Sequence, residues 1–198
     1  MIHPDTKLVT IDPVVGHGVV ATRRLPRGTI TWVMDHLDRV FTEADTQALP
    51  PRYQELFDHW TFHDGRGGHV LCWDIGRYMN HSCAASCGGS ELGFEVALRD
   101  IEAGEELTND YATMYMRPRE RFDCRCGARS CRLVVSNAAT HEAVAAMRHQ
   151  VRRAIVGLDL VEQPLLALLR RDTLTWATEE LDRAVERDVA VPMSRPPA

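Results

Sequence analysis

Apolar and β-branched residues come in short runs through the first half of the chain and at helical spacing only near its end. Leu8-Val9-Thr10-Ile11 and Gly18-Val19-Val20-Ala21-Thr22 predict strands, and Pro26-Arg27-Gly28 predicts a turn before a further strand over Ile30 to Met34. Thr42 to Leu49 reads as a short helix capped by Thr42 and stopped by Pro50-Pro51, and Arg52 to Trp60 as another. Trp60-Thr61-Phe62 and His69-Val70-Leu71-Cys72-Trp73-Asp74 read as strands about the Asp64-Gly65-Arg66-Gly67-Gly68 loop. Phe94-Glu95-Val96-Ala97-Leu98 alternates, which predicts a half-buried strand, and a turn leads from Ile101 into Leu107.

After Cys131 the period changes. Val144, Met147, Val151, Ile155 and Leu158 fall on one helical face, as do Leu174, Ala177, Leu181 and Val185, with Leu165, Leu166, Leu168 and Leu169 between them. Residues 138–190 therefore predict two or three amphipathic helices, followed by a frayed tail over Ser194 to Ala198. Many short strands with turn signals predict a mainly β (α+β) domain and not a doubly wound sheet.

The length of 198 residues fits one domain with a small appendage, and 44% apolar residues suffice for a core. A net charge of −5 leaves no electrostatic footprint for nucleic acid and suits a basic polypeptide partner. No apolar run is long enough to span a bilayer, and no basic-then-apolar leader opens the chain, so neither a membrane nor a secretion signal is expected. Six cysteines without such a signal point to reduced thiols or a metal site.

Four segments carry candidate chemistry. Gly16-His17-Gly18-Val19-Val20-Ala21 has the G-x-G-x-x-A spacing of a dinucleotide fingerprint, with Asp35 and Asp38 near the acidic position. That fingerprint must open a helix, and the strand-forming Val19-Val20 leaves no room for one. Arg77-Tyr78-Met79-Asn80-His81-Ser82-Cys83 and Gly104-Glu105-Glu106-Leu107-Thr108-Asn109-Asp110-Tyr111 follow, and then Cys124-x-Cys126-x-x-x-x-Cys131. The last group supplies three thiolates, one short of a tetrahedral structural zinc site. Cys87 is near enough in sequence to be a rival fourth ligand. Cys72 sits in an apolar run and reads as core. His59 and His63 have helical metal-pair spacing but no glutamate between them, and their surroundings read as extended.

In this order the segments resemble the SET-domain protein lysine methyltransferases with a cysteine-rich post-SET segment. The resemblance covers residues 8–133. It implies a SET domain over 8–119 with a variable insert at 36–73, a zinc loop over 120–133, and a helical extension over 138–190 outside the family. It also implies that the two signature segments pass through each other in a knot-like arrangement.

The implied cofactors are S-adenosylmethionine and one structural zinc. His17, Gly18, Arg77, Tyr78, Asn80 and His81 would hold the methyl donor, with Gly18 required because a Cβ would collide with it. Cys83, Cys124, Cys126 and Cys131 would hold the zinc. The family continues its first signature with x-Pro-Asn, where this chain has Ala84-Ala85-Ser86-Cys87.

Tyr111 would be the catalytic residue. A lysine amine has a reference pKa of about 10.4 and must lose its proton before it can attack. A pocket can achieve that by desolvation, and a nearby hydroxyl can orient the amine. Asn109 stands where the family places the ring that controls product state; its smaller size predicts more than one methyl per amine, and Asn109→Tyr a shift to monomethylation.

The implied partner is a protein or peptide lysine, with a homodimer through the C-terminal helices as a further expectation. The other functions weighed are methylation of a small-molecule amine and a zinc-stabilised interaction module without activity. The short insert and lack of targeting modules suggest a bacterial cytoplasmic protein, with a host-directed effector or a nuclear protein as alternatives.

Overall fold

The computed structural model describes residues 1–64, 67–114, 121–136, 141–169 and 173–187. The expected tail over Ser194 to Ala198 and the tip of the loop at Gly65 and Arg66 lie outside them. A hairpin of β1 (Thr6–Asp12) and β2 (Gly16–Ala21) comes first. Its turn is built by Asp12, whose Oδ1 accepts from the backbone N–H of Val14 at 2.6 Å and Val15 at 2.8 Å, and by Gly16 at φ +81°. The G-x-G therefore opens a strand, and the dinucleotide reading is excluded.

β3 (Ile30–Val33) and β4 (Arg39–Thr42) lead into α1 (Glu43–Gln47). Thr42 caps α1 in a reciprocal box with Asp45. Pro50-Pro51, expected only to stop a helix, also starts the next one: Pro51 is the first residue of α2 (Pro51–Trp60), where its missing N–H costs nothing. β5 (Thr61–His63) and β6 (Gly68–Leu71) join β4 in a three-stranded antiparallel sheet of order β4-β6-β5. This strand β6 is shorter than expected, because Cys72 to Asp74 leave the sheet for a 3₁₀ turn over Ile75–Tyr78.

β7 (Asn80–His81), β8 (Cys87–Gly88) and β9 (Phe94–Ala97) follow. β3, β9 and β8 make a second antiparallel sheet. All four β9 residues are buried, where alternation had predicted a half-exposed strand. The reason is cover on both faces. Phe94 and Val96 enter a core with Met147, Val151, Ala154, Trp176 and Ala177, whereas Ala97 enters a second core with Val19, Trp32 and Leu107. The first cover comes from α3 (His141–Ile155) and α4 (Thr173–Arg187). The apolar stripe of the C-terminal helices is thus spent partly on the sheet. Two short 3₁₀ turns, Leu158–Leu160 and Leu166–Leu168, join the helices. Among the described residues no helix is long and apolar enough to cross a membrane.

Three small elements set the site. β10 (Thr108–Asn109) pairs in parallel with β7, matching Thr108 to Asn80 and Asn109 to His81. The two signature segments therefore lie side by side, and the Ser82 N–H extends the ladder to the Asn109 carbonyl at 2.9 Å. β11 (Arg121–Asp123) and β12 (Val134–Ser136) form an antiparallel pair that brackets the late cysteines.

Candidate active site and thiol cluster

A cavity of about 580 Å³ opens between the β1–β2 turn, the end of α2, the 3₁₀ turn at Ile75–Tyr78 and the β7–β10 pair. That volume suits a small-molecule ligand. Its wall is strongly aromatic. Trp60 meets Tyr78 edge-on at 5.1 Å, Tyr78 meets His17 at 5.7 Å, and Trp32 meets Phe62 at 5.9 Å. Such faces favour a cation, sulfonium or ammonium.

The expected donor-binding residues divide into two sets. His17, Arg77, Tyr78 and Asn80 line the cavity. The Arg77 guanidinium is fixed by its own turn, donating to the carbonyls of Asp74 at 3.2 Å and Trp73 at 2.6 Å. Asn80 Nδ2 donates to the His17 carbonyl at 2.9 Å and to Glu106 Oε1 at 2.7 Å, tying β7 to β2 and to the second signature.

Gly18 and His81 support the wall without forming it. A Cβ on Gly18 would lie 2.4 Å from Glu106 Oε1, 2.7 Å from Ile11 Cγ1 and 2.9 Å from Asn80 Nδ2. The glycine is required by the Asn80–Glu106 bond that crosses it, and not by direct contact with a ligand.

Tyr111 and Asn109 also line the cavity. The Tyr111 hydroxyl donates to the Met79 carbonyl at 2.7 Å, so its proton is committed and its oxygen is left to accept. Burial, reinforced by the charges of Glu95 and Glu106, pushes the phenol well above its ordinary range. It therefore stays protonated and cannot serve as a phenolate base near neutral pH. Phe122 of β11 covers this corner, meeting Tyr111 at 6.1 Å and His81 at 5.6 Å.

Glu95 is the residue that the sequence concealed. Set between Phe94 and Val96, it reads as the polar face of an alternating strand. In the fold it is buried, lines the cavity, and accepts from Ser90 Oγ at 2.5 Å and Asn109 Nδ2 at 2.9 Å through Oε1. Burial raises its carboxyl to about 7, although both hydrogen bonds oppose the shift.

Beside the cavity the predicted thiols gather. Cys83 Sγ is 3.8 Å from Cys124 Sγ, and Cys83, Cys124, Cys126 and Cys131 all pack about Ala112 and Val135. Backbone N–H groups point at the sulfurs: Cys83 to Cys126 Sγ, Arg132 to Cys83 Sγ and Leu133 to Cys131 Sγ, each at 3.4 Å. Burial opposes ionisation of Cys126, but N–H donors from Cys83 and Ala128 and its thiol neighbours bring it down to about 6. Burial pushes Cys124 the other way.

The ring of His81 also falls within ligand distance of Cys83, Cys124 and Cys126. Its Nδ1, however, accepts the Tyr111 backbone N–H at 3.1 Å. A neutral ring then carries its proton on Nε2, which lies 3.4 Å from Cys83 Sγ. In that tautomer His81 donates to the Cys83 sulfur. Cys131, expected as the fourth ligand, falls outside that closest group, although four soft thiolates supported by N–H donors would suit a tetrahedral ion. Cys87 is fully buried in the core with Cys72 and takes no part.

Residues 16–112 match the family described as SET domain. Over those residues the chain has a SET domain, and it aligns with histone-lysine N-methyltransferases. It is 32% identical over 124 residues to the histone-lysine N-methyltransferase ash1 of Drosophila melanogaster, covering 57% of this chain and 6% of the relative. It is 42% identical over 66 residues to an H3 lysine-4 specific histone-lysine N-methyltransferase of Candida albicans, 29% of this chain and 6% of the relative. It is 38% identical over 63 residues to human histone-lysine N-methyltransferase 2D, 28% of this chain and 1% of the relative. The chain thus spans only a small part of the length of these relatives.

Proposed function

We propose that this chain is an S-adenosylmethionine-dependent protein-lysine N-methyltransferase with one structural zinc. The observation that carries the reading is the β7–β10 pairing, which brings Asn80 and Tyr111 from distant segments to one aromatic cavity. The cavity suits the donor: its rings can face a sulfonium, and Trp32 Nε1 is a buried N–H with no partner. When bound, the donor supplies a methyl group on a positively charged sulfur.

The chain's own residues would do the rest. His17, Arg77, Tyr78 and Asn80 hold the donor in place. Trp60, Tyr78 and Phe122 exclude water, which lowers the affinity of a lysine amine for its proton. The Tyr111 oxygen accepts from the amine and orients it. Cys83, Cys124, Cys126 and Cys131 hold the zinc, which ties β7 to the segment bearing Phe122 and so closes the wall. The net charge of −5 suits a basic polypeptide substrate.

The test is incubation of the purified protein with methyl-labelled donor and three substrate sets: core histones, whole-cell lysate proteins, and free amines. Label on lysine side chains of a protein, lost in Tyr111→Phe, is the expected result. Label confined to free amines would replace the protein substrate with a small molecule. No transfer to any set would overturn the reading.

A further inference from the structure

Glu95 and Asn109 stand side by side at the inner end of the cavity, joined by the bond from Asn109 Nδ2 to Glu95 Oε1. That bond leaves the second oxygen of each residue, Glu95 Oε2 and Asn109 Oδ1, buried without a hydrogen-bond partner. Glu95 is 4% exposed and Asn109 5%. No lysine, arginine or histidine side chain among the described residues pairs with Glu95. The titratable groups near it are Glu91, Cys72, Cys87, Tyr111 and the N-terminal ammonium, and that ammonium pairs instead with Asp35 and Asp38. Among the described residues one buried donor without a partner, Trp32 Nε1, lines the same cavity, on the strand residue opposite Glu95. With Glu95 ionised each free oxygen can accept two bonds, so the inner end is then rich in acceptors and short of N–H groups.

Buried acceptors without donors are costly, and a site left so is complete only with a ligand that brings N–H groups. A primary amine is such a ligand. We propose that Glu95 and Asn109 form an amine-reading pair that accepts N–H bonds from the substrate nitrogen and so selects it by the number of methyl groups it already carries. This deepens the methyltransferase reading of the same cavity and rests on it.

The consequence is a graded one. After losing one proton, an unmethylated amine still offers two N–H groups, a monomethyl amine one, and a dimethyl amine none. Each methyl group therefore strips one bond from the pair. The first transfer is the best supported, the second less so, and the third leaves both oxygens bare. Space alone, the argument from the small size of Asn109, would have favoured repeated transfer. The acceptor count sets a limit that space does not.

The experiment uses the full chain without donor and a series of probes that copy the end of a lysine side chain: n-butylammonium and its N-methyl, N,N-dimethyl and N,N,N-trimethyl forms. Binding is read by protein NMR titration, and folding by melting temperature. Wild type should bind the primary ammonium roughly five- to a hundred-fold more tightly than the trimethyl form, the range set by leaving buried acceptors unpaired. Glu95→Gln and Asn109→Leu should flatten the series to within about two-fold. The ratio is internal to each variant, so a change in overall stability does not mimic it. Trimethyl binding as tight as primary in wild type would overturn the proposal, because it would mean that the aromatic rings alone hold the cation. So would a preference unchanged in both variants. Methyl transfer with a flat series would sink this inference and leave the enzymatic reading standing. A graded series without transfer would do the reverse.

Discussion

The backbone N–H of Tyr111 donates to His81 Nδ1 at 3.1 Å. That bond places the remaining ring proton on Nε2, toward Cys83 Sγ at 3.4 Å. The cavity residue and the thiol cluster are thus joined through one imidazole. Asp110, between the two, receives the Ala112 N–H at 3.1 Å and pairs with the Arg132 guanidinium, which clamps the same junction from the other side.

His81→Ala should therefore affect both sites. The Tyr111 N–H loses its acceptor and Cys83 loses a donor, for a cost of about 1–3 kcal/mol. Metal affinity should fall roughly 10- to 100-fold without being abolished, as expected for a group that orients a ligand. Competition with a colorimetric chelator measures this. Complete loss of metal would instead make His81 a ligand.

The purified protein should carry one zinc per chain, and removing it should open the segment bearing Phe122 while sparing the sheets. A structural ion contributes folding energy directly, and its thiolate ligands make retention fall as pH drops. Elemental analysis and hydrogen exchange over residues 121–136 are the measurements. Full zinc in Cys131→Ser would remove that residue from the ligand set.

Much of this was legible in the chain. Spacing alone marked Cys124, Cys126 and Cys131, and the two signatures marked Asn80 and Tyr111, because chemistry constrains residue type and local order. That Cys83 joins them came from a resemblance, since no local pattern links Cys83 to Cys124 across 41 residues. Glu95 was hidden for a physical reason. Alternation reports which face is polar only when one face meets water, and β9 is covered on both sides. The two-residue strands β7, β8 and β10 were also invisible, being too short to show a period.

Tyr111→Phe should cut turnover by on the order of 10²–10³-fold, the scale for loss of one preorganised polar contact at a reacting centre. Donor binding should stay nearly intact. The variant also frees the Met79 carbonyl, so a melting temperature must accompany the kinetics. Comparable turnover by the variant would remove Tyr111 from the chemistry.

Gly18→Ala should weaken donor binding although Gly18 lies behind the wall. Its new Cβ cannot coexist with Glu106 Oε1 at 2.4 Å and Asn80 Nδ2 at 2.9 Å, so the Asn80–Glu106 bond must break or shift. A stability loss of about 1–3 kcal/mol is expected, together with a weaker donor Kd by calorimetry. Unchanged donor affinity would show that Asn80 keeps its place without Glu106.

Glu95 gives the pH dependence its sign. Its carboxyl stands at about 7 in the fold against 4.5 for an ordinary glutamate, because burial disfavours the anion. The folded state therefore holds a proton that the unfolded state has released between those values. Stability falls as pH rises through that window, by an amount on the order of 3 kcal/mol when complete. The proton is fully bound in both states below the lower value, so no such penalty exists there. Glu95→Gln keeps the shape of the side chain and cannot ionise. It should match wild type at the acid end of the window and exceed it above pH 7. Chemical denaturation of both proteins from pH 5 to 8 measures the gap, and a gap that stays constant with pH would show that Glu95 ionises as freely in the fold as out of it.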